Sequence, residues 1–94
     1  MAIRSFRHKG LKAFFEMDRT RGIPADQAKR LRRVLSALDT GATLDQMKAF
    51  PGWRLHPLAG DLKGYWSVSI TGNWRLIFRF KDGDAHDLDL VDYH

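Results

Sequence analysis

Two periods divide the chain. From His8 to Phe50 apolar residues recur every three or four positions, and after Gly52 they alternate with polar ones. The first regime predicts helices. Leu11, Phe14 and Phe15 mark one between His8 and Asp18, and Gly22 breaks it. The strongest runs from Pro24 to Asp39, where Ala25, Ala28, Leu31, Val34, Leu35 and Leu38 make one apolar face and Lys29, Arg30, Arg32 and Arg33 cover the rest. Pro24 suits a first helical position and Gly41 a helix end. Thr43 can cap a short third helix, Leu44 to Phe50, stopped by Pro51 and Gly52.

The second regime predicts strands. Trp53 to His56 reads as a short one, as does Ala2 to Arg7 ahead of the helices. Tyr65 to Thr71 sets Trp66, Val68 and Ile70 on one face, and Gly72-Asn73 turns the chain. Trp74 to Lys81 then points Trp74, Leu76, Phe78 and Phe80 inward, Asp82-Gly83-Asp84 makes the next turn, and Ala85 to Tyr93 follows. The register of this last hairpin can be argued. A two-residue turn would set Phe78 opposite Asp87 and Leu76 opposite Asp89, burying carboxylates against the apolar face. A three-residue loop is therefore predicted. It pairs Phe78 with Leu88, Leu76 with Leu90, Arg79 with Asp87, and Arg75 with Val91 beside Tyr93. The expected fold is α+β, with N-terminal helices packed on one face of a small antiparallel sheet.

At 94 residues the chain is long enough for one domain, spanning 1–94, and no repeat or linker interrupts it. It has no cysteine, which removes disulfides, thiolate zinc sites and thiol nucleophiles. No apolar stretch suits a secretory signal or a membrane span, so a cytoplasmic protein with no membrane partner is expected. The net charge of +5 makes polyanions natural partners, although charge alone fits a solvated basic face equally well.

Candidate chemistry sits in two places. On the outward sheet face, Arg75 has no acid opposite it in the predicted register, so its planar donors remain open to a phosphate. Arg79 reads instead as half of a cross-strand pair with Asp87. At the C-terminus, Asp92-Tyr93-His94 gathers titratable groups. Cleavage of RNA through its own 2′-hydroxyl needs a base, an acid and a cation on the phosphate, and His, Asp, Tyr and Arg can supply them. On spacing alone, a frayed terminus is the commoner outcome. His56, before Pro57, is by itself more often structural than catalytic, and Trp53, Trp66 and Trp74 suit packing. His86, Asp92 and His94 share strand parity, but the rise per residue spreads them over roughly 20 Å, so no metal site is assigned.

The ordered set of motifs resembles the HigB-type toxins of the RelE-like superfamily. It comprises Ile3-Arg4-Ser5-Phe6-Arg7-His8-Lys9-Gly10-Leu11, Trp53-Arg54-Leu55-His56-Pro57-Leu58, Gly60-Asp61, Gly64-Tyr65-Trp66-Ser67, Gly72-Asn73-Trp74-Arg75 and Asp92-Tyr93-His94. The resemblance implies a RelE-like fold and ribosome-dependent cleavage of messenger RNA in the decoding site, with no cofactor. It implies catalytic roles for His56, Arg75, Asp92, Tyr93 and His94, with Lys63, Asn73 and Arg75 as RNA contacts. It also implies a HigA-type helix-turn-helix antitoxin, with operator DNA engaged only through the antitoxin complex. Many relatives carry lysine where this chain has Ala59, and Lys63 is the nearby substitute. Two alternatives stand beside this reading: a gyrase-directed toxin of the same superfamily, and an antitoxin-binding co-repressor relic.

Overall fold

The computed structural model describes residues 2–92. The terminal Tyr93 and His94 lie outside them. Three helices come first: α1 (Lys9–Met17), α2 (Ala28–Asp39) and α3 (Leu44–Lys48). Four strands follow, β1 (His56–Pro57), β2 (Tyr65–Ser69), β3 (Trp74–Lys81) and β4 (Asp84–Asp92), in the spatial order β1-β2-β3-β4 with every pairing antiparallel.

Local chemistry explains the helix ends. The His8 ring accepts a hydrogen bond from the Leu11 N–H (2.9 Å), capping α1. Thr43 and Gln46 form a reciprocal capping box at α3. The predicted second helix is shorter than expected. Pro24 leads a 3₁₀ turn, Ala25–Gln27, and the α-helix begins only at Ala28.

The helices cover one sheet face. Leu11, Phe14, Leu31, Val34, Leu35, Leu38 and Met47 bury against Val68, Ile70, Leu76, Phe78, Leu88 and Leu90. Trp53 joins this core, with Trp66 and Trp74 half-buried against it. Phe80 departs from expectation. It lies in the last turn-proximal positions of β3, opposite Ala85, and is exposed. Ile77, on the opposite face, is buried instead.

Two further departures shape the sheet. The predicted strand Trp53 to His56 is reduced to His56–Pro57, because Arg54 turns the chain with φ +49°. The segment from Ala2 to Arg7 pairs with β4 in parallel, through Ile3 beside Ala85 and Phe6 beside Leu88.

The β3–β4 hairpin resolves the carboxylate problem in an unexpected way. Its loop is Asp82-Gly83, two residues with φ +53° and +80°, and Lys81 pairs with Asp84. Both positive φ values fit a tight turn matched to strand twist, and Gly83 takes its position without steric cost. The three-residue loop is thus not formed. A bulge does its work: Asp87 adopts φ +54°, and the register shifts between Ile77 and Arg79. Beyond it Leu76 faces Leu90 and Arg75 faces Val91, as predicted. Asp87 is held outward by the Ser5 hydroxyl and Arg79.

Candidate active site

Strand alternation and cross-strand pairing define the outward face. One row runs His56, Ser67, Ile77, Asp89, and the next runs Ser69, Arg75, Val91. His56 and Arg75 therefore share the solvent-side face, two strand spacings apart, about 10 Å, and one row apart, about 7 Å along the strands. Arginine and histidine side chains can converge on one ligand across that span.

His56 is exposed, and its Nδ1 lies 2.8 Å from the Arg54 carbonyl oxygen. That contact orients the ring and leaves Nε2 toward solvent. Arg75 is half-buried. Its Nη1 donates to the carbonyls of Gly72 (2.9 Å) and Trp74 (3.1 Å), so the β2–β3 turn fixes the guanidinium. Those are neutral acceptors, and among the described residues no ion pair includes Arg75. Its positive charge is held in place without being cancelled.

The remaining predicted residues divide between the two ends of the sheet. Asn73 is exposed in the turn beside Arg75, and Asp92 pairs with Trp74 at the same end. Lys63 and Ala59 flank the 3₁₀ turn Gly60–Leu62, just before β2 begins at Tyr65. Four residues of β2, about 14 Å, separate Tyr65 from the row of Arg75. Lys63 is thus not brought together with Asn73 and Arg75, and the sequence motifs flank His56 from both sides. Tyr93 and His94 fall outside the described residues.

The outward face near the β3–β4 turn is chemically different. Arg79 faces His86 in the ladder and not Asp87 as predicted, because the bulge shifts the register, but its side chain still contacts the Asp87 carboxylate (3.6 Å) and stacks on the Tyr65 ring (4.6 Å). Arg7 donates to the Tyr65 hydroxyl (3.1 Å). That hydrogen bond, the Tyr65 charge and nearby Asp89 hold the Arg7 guanidinium above its usual range. Arg4 donates to Asp84 (2.7 Å). The Ala2 N–H and then Arg4 hold the Asp84 carboxyl below its usual range.

Sequence reasoning missed Arg30 and Arg54. Arg30 belongs to the basic run of α2, which reads as a solvated face. Its Nη1 instead donates to the carbonyls of Gly52 (3.2 Å) and Ser69 (3.5 Å) at the sheet edge. Arg54 is exposed in the left-handed region, a conformation costing a non-glycine residue about 1–2 kcal/mol. Together with Arg75 they line one pocket. No local pattern in the sequence marks this convergence, because the three belong to a helix, a loop and a strand. Among the described residues no cluster of three metal-ligating side chains occurs, and no helix is long and apolar enough to cross a membrane.

Comparison with known proteins is consistent with this geometry. Residues 4–94 match the family described as HigB-like toxin, the RelE-like toxin of the type II toxin–antitoxin system HigB. Endoribonuclease HigB of Proteus vulgaris is 45% identical over 92 residues, covering 98% of this chain and 99% of that protein. Toxin HigB-1 of Vibrio cholerae is 38% identical over 81 residues, 85% of each. Among solved structures, the YoeB dimer from Staphylococcus aureus superposes with a TM-score of 0.62 at 18% identity, covering 100% of this chain and 97% of that one. YafQ from E. coli gives 0.57 at 19%, covering 96% and 90%. These last two establish the fold alone. The outward sheet face that carries His56 and Arg75 thus sits on a RelE-like scaffold, and the chain belongs to the HigB-like toxins of type II toxin–antitoxin systems.

Proposed function

We propose that the protein is a ribosome-dependent endoribonuclease that cuts messenger RNA in the decoding site. The observation that carries this reading is the near-full-length relation to Endoribonuclease HigB of Proteus vulgaris. The geometry supports it with an exposed histidine and a fixed, uncancelled arginine on one sheet face.

The reaction needs little machinery. A base takes the 2′-hydroxyl proton, and that oxygen attacks the adjacent phosphorus. The bond from phosphorus to the 5′-oxygen breaks, and an acid returns a proton to the leaving oxygen. The products are a 2′,3′-cyclic phosphate and a 5′-hydroxyl end. His56 and the terminal Asp92, Tyr93 and His94 supply the proton-transferring groups. Arg75 stabilises the charge that builds on the phosphate, with donors fixed beforehand by the turn. Asn73 and Lys63 contact the message on either side. The reading includes no cofactor.

The partners follow from the family. A HigA-type helix-turn-helix antitoxin neutralises the protein, operator DNA is engaged only through that complex, and the ribosome presents the message. The site of action is the cytoplasm.

The test is to map RNA ends in cells minutes after induction, for wild type and for a variant lacking Tyr93 and His94. Codon-phased cuts are expected from the wild type only, with both proteins folded by thermal melting. DNA breaks without RNA cuts would instead indicate a gyrase-directed toxin. Neither lesion would indicate a co-repressor relic, and either result overturns the proposal.

A further inference from the structure

The three-arginine pocket is the strongest unassigned feature of the molecule. Its volume is about 280 Å³, and Arg30, Arg54 and Arg75 line it with Ser69, Thr71 and Gly72. Among the described residues no carboxylate side chain lines it. Among the described residues, none of the three arginines makes an ion pair. Arg4, Arg32 and Arg79 each have an aspartate partner, whereas the side chains of Arg30 and Arg75 end on backbone carbonyls.

The donors are arranged for an anion. A guanidinium carries five N–H groups in a rigid fork. The hydrogen bonds of Arg30 and Arg75 all use Nη1, and all end on backbone carbonyls. The two side chains are thereby positioned while other donors of each fork remain uncommitted. The Arg54 side chain makes no hydrogen bond among the described residues and rides on a left-handed backbone. Like charges this close repel, and an occupying phosphate would relieve the repulsion. The pocket includes Ser69, one outward-facing row from Ser67, the partner of His56. That row spacing is about 7 Å, the scale of one nucleotide step in an extended strand.

We propose that this pocket is a second phosphate subsite. It takes the backbone phosphate next to the one being cleaved, with Arg30 and Arg54 as its ligands and Arg75 standing between the two phosphates. The inference rests on the ribonuclease reading for the identity of its occupant, a single-stranded RNA backbone. Its function is to set the register of the message against His56.

Two measurements test it. The first uses no cleavage: fluorescence anisotropy of a 2′-O-methyl RNA tetranucleotide, titrated at increasing salt. Arg54→Asn, chosen because asparagine tolerates the left-handed backbone, should weaken binding about tenfold at low salt. It should also reduce the slope of log K against log salt by about 0.7, one single-strand phosphate contact. Arg30→Gln should act in the same direction, Arg54→Lys should retain the slope, and Arg32→Ala, whose partner is Asp18, should leave binding unchanged. The second uses ribosome-bound message with a neutral methylphosphonate on one side or the other of the cleaved phosphate. Wild type should lose kcat/KM through KM at one of the two positions, and Arg54→Asn should be indifferent to both. Wild-type salt slopes in Arg54→Asn and Arg30→Gln would overturn the subsite while leaving wild-type cleavage, and the ribonuclease reading, intact. An Arg54-dependent slope in a protein that cuts no message would uphold the phosphate site and overturn the ribonuclease reading alone.

Discussion

The two ends of the sheet carry the same residue type in opposite states. Near the β3–β4 turn, Arg4 meets Asp84, Arg79 meets Asp87 and stacks on Tyr65, and Arg7 meets the Tyr65 hydroxyl. Near the β2–β3 turn, Arg30 and Arg75 meet only backbone carbonyls, and the Arg54 side chain has no ion-pair or hydrogen-bond partner among the described residues. The difference is one of carboxylate placement, since arginines occur at both ends. At the first end, charge has been converted into structure that fastens the N-terminal segment to β4. At the second, it is positioned and left available. A net charge of +5 pools the two populations and hides the distinction.

The largest expected effect breaks the comparison at its available end. Arg75→Ala should lower cleavage of ribosome-bound message by about 10²-fold or more, the usual loss for one transition-state donor. Its stability cost should be about 1 kcal/mol or less, because the lost hydrogen bonds end on an exposed turn. A large fall in melting temperature with normal cleavage would place Arg75 among the structural arginines.

A smaller effect concerns the other flank of His56. Ala59 is exposed in extended backbone at the start of the 3₁₀ turn, and Lys63 ends that turn. A cation added by Ala59→Lys should raise cleavage, since it adds positive charge beside the reacting phosphate. If Lys63 already serves, Lys63→Ala should be damaging and Ala59→Lys nearly silent. If both single variants and the double variant cleave at the wild-type rate, no lysine acts on that flank, and Arg75 must hold the phosphate alone.

Arg79→Ala is the matched probe of the paired end. Cleavage should stay at the wild-type rate. Melting should report a loss of about 1 kcal/mol, the combined scale of an exposed ion pair and a cation–π contact. Reduced cleavage with unchanged stability would move Arg79 into the site and erase the contrast between the two ends.

The fold was legible because periodicity survives packing. Leu31, Val34, Leu35 and Leu38 on α2, and Leu76, Leu88 and Leu90 in the hairpin, are buried as their spacing required. The bulge at Asp87 was not legible as such. The energetic problem was read correctly, since carboxylates could not face the core. Sequence alone does not distinguish a longer loop from an inserted left-handed aspartate, because both restore Leu76 to Leu90. Within the candidate site, Arg75 was legible from parity and the absence of an opposing acid. Arg30 and Arg54 were not, since their convergence is made by the reach of a helical side chain to the Gly52 and Ser69 carbonyls.

The smallest expected effect isolates the structural use of charge through pH. Asp84 accepts from the Ala2 N–H (3.0 Å) and from Arg4 (2.7 Å), and both hold its folded titration below the unfolded value of about 3.9. A carboxyl depressed in this way contributes stability above its unfolded pKa and loses it as pH falls through the folded value. Asp84→Asn keeps an oxygen acceptor but no charge. It should melt below wild type at pH 7, and the gap should close as both proteins are acidified from about pH 5 to below the folded value, where wild-type Asp84 is also neutral. Arg75→Ala should show no comparable closing of a gap in the same titration, since its contacts in the fold are to neutral carbonyls. A pH-independent deficit in Asp84→Asn would mean that shape and hydrogen bonding alone fasten the N-terminal segment. The two ends of the sheet would then differ in geometry but not in their use of charge.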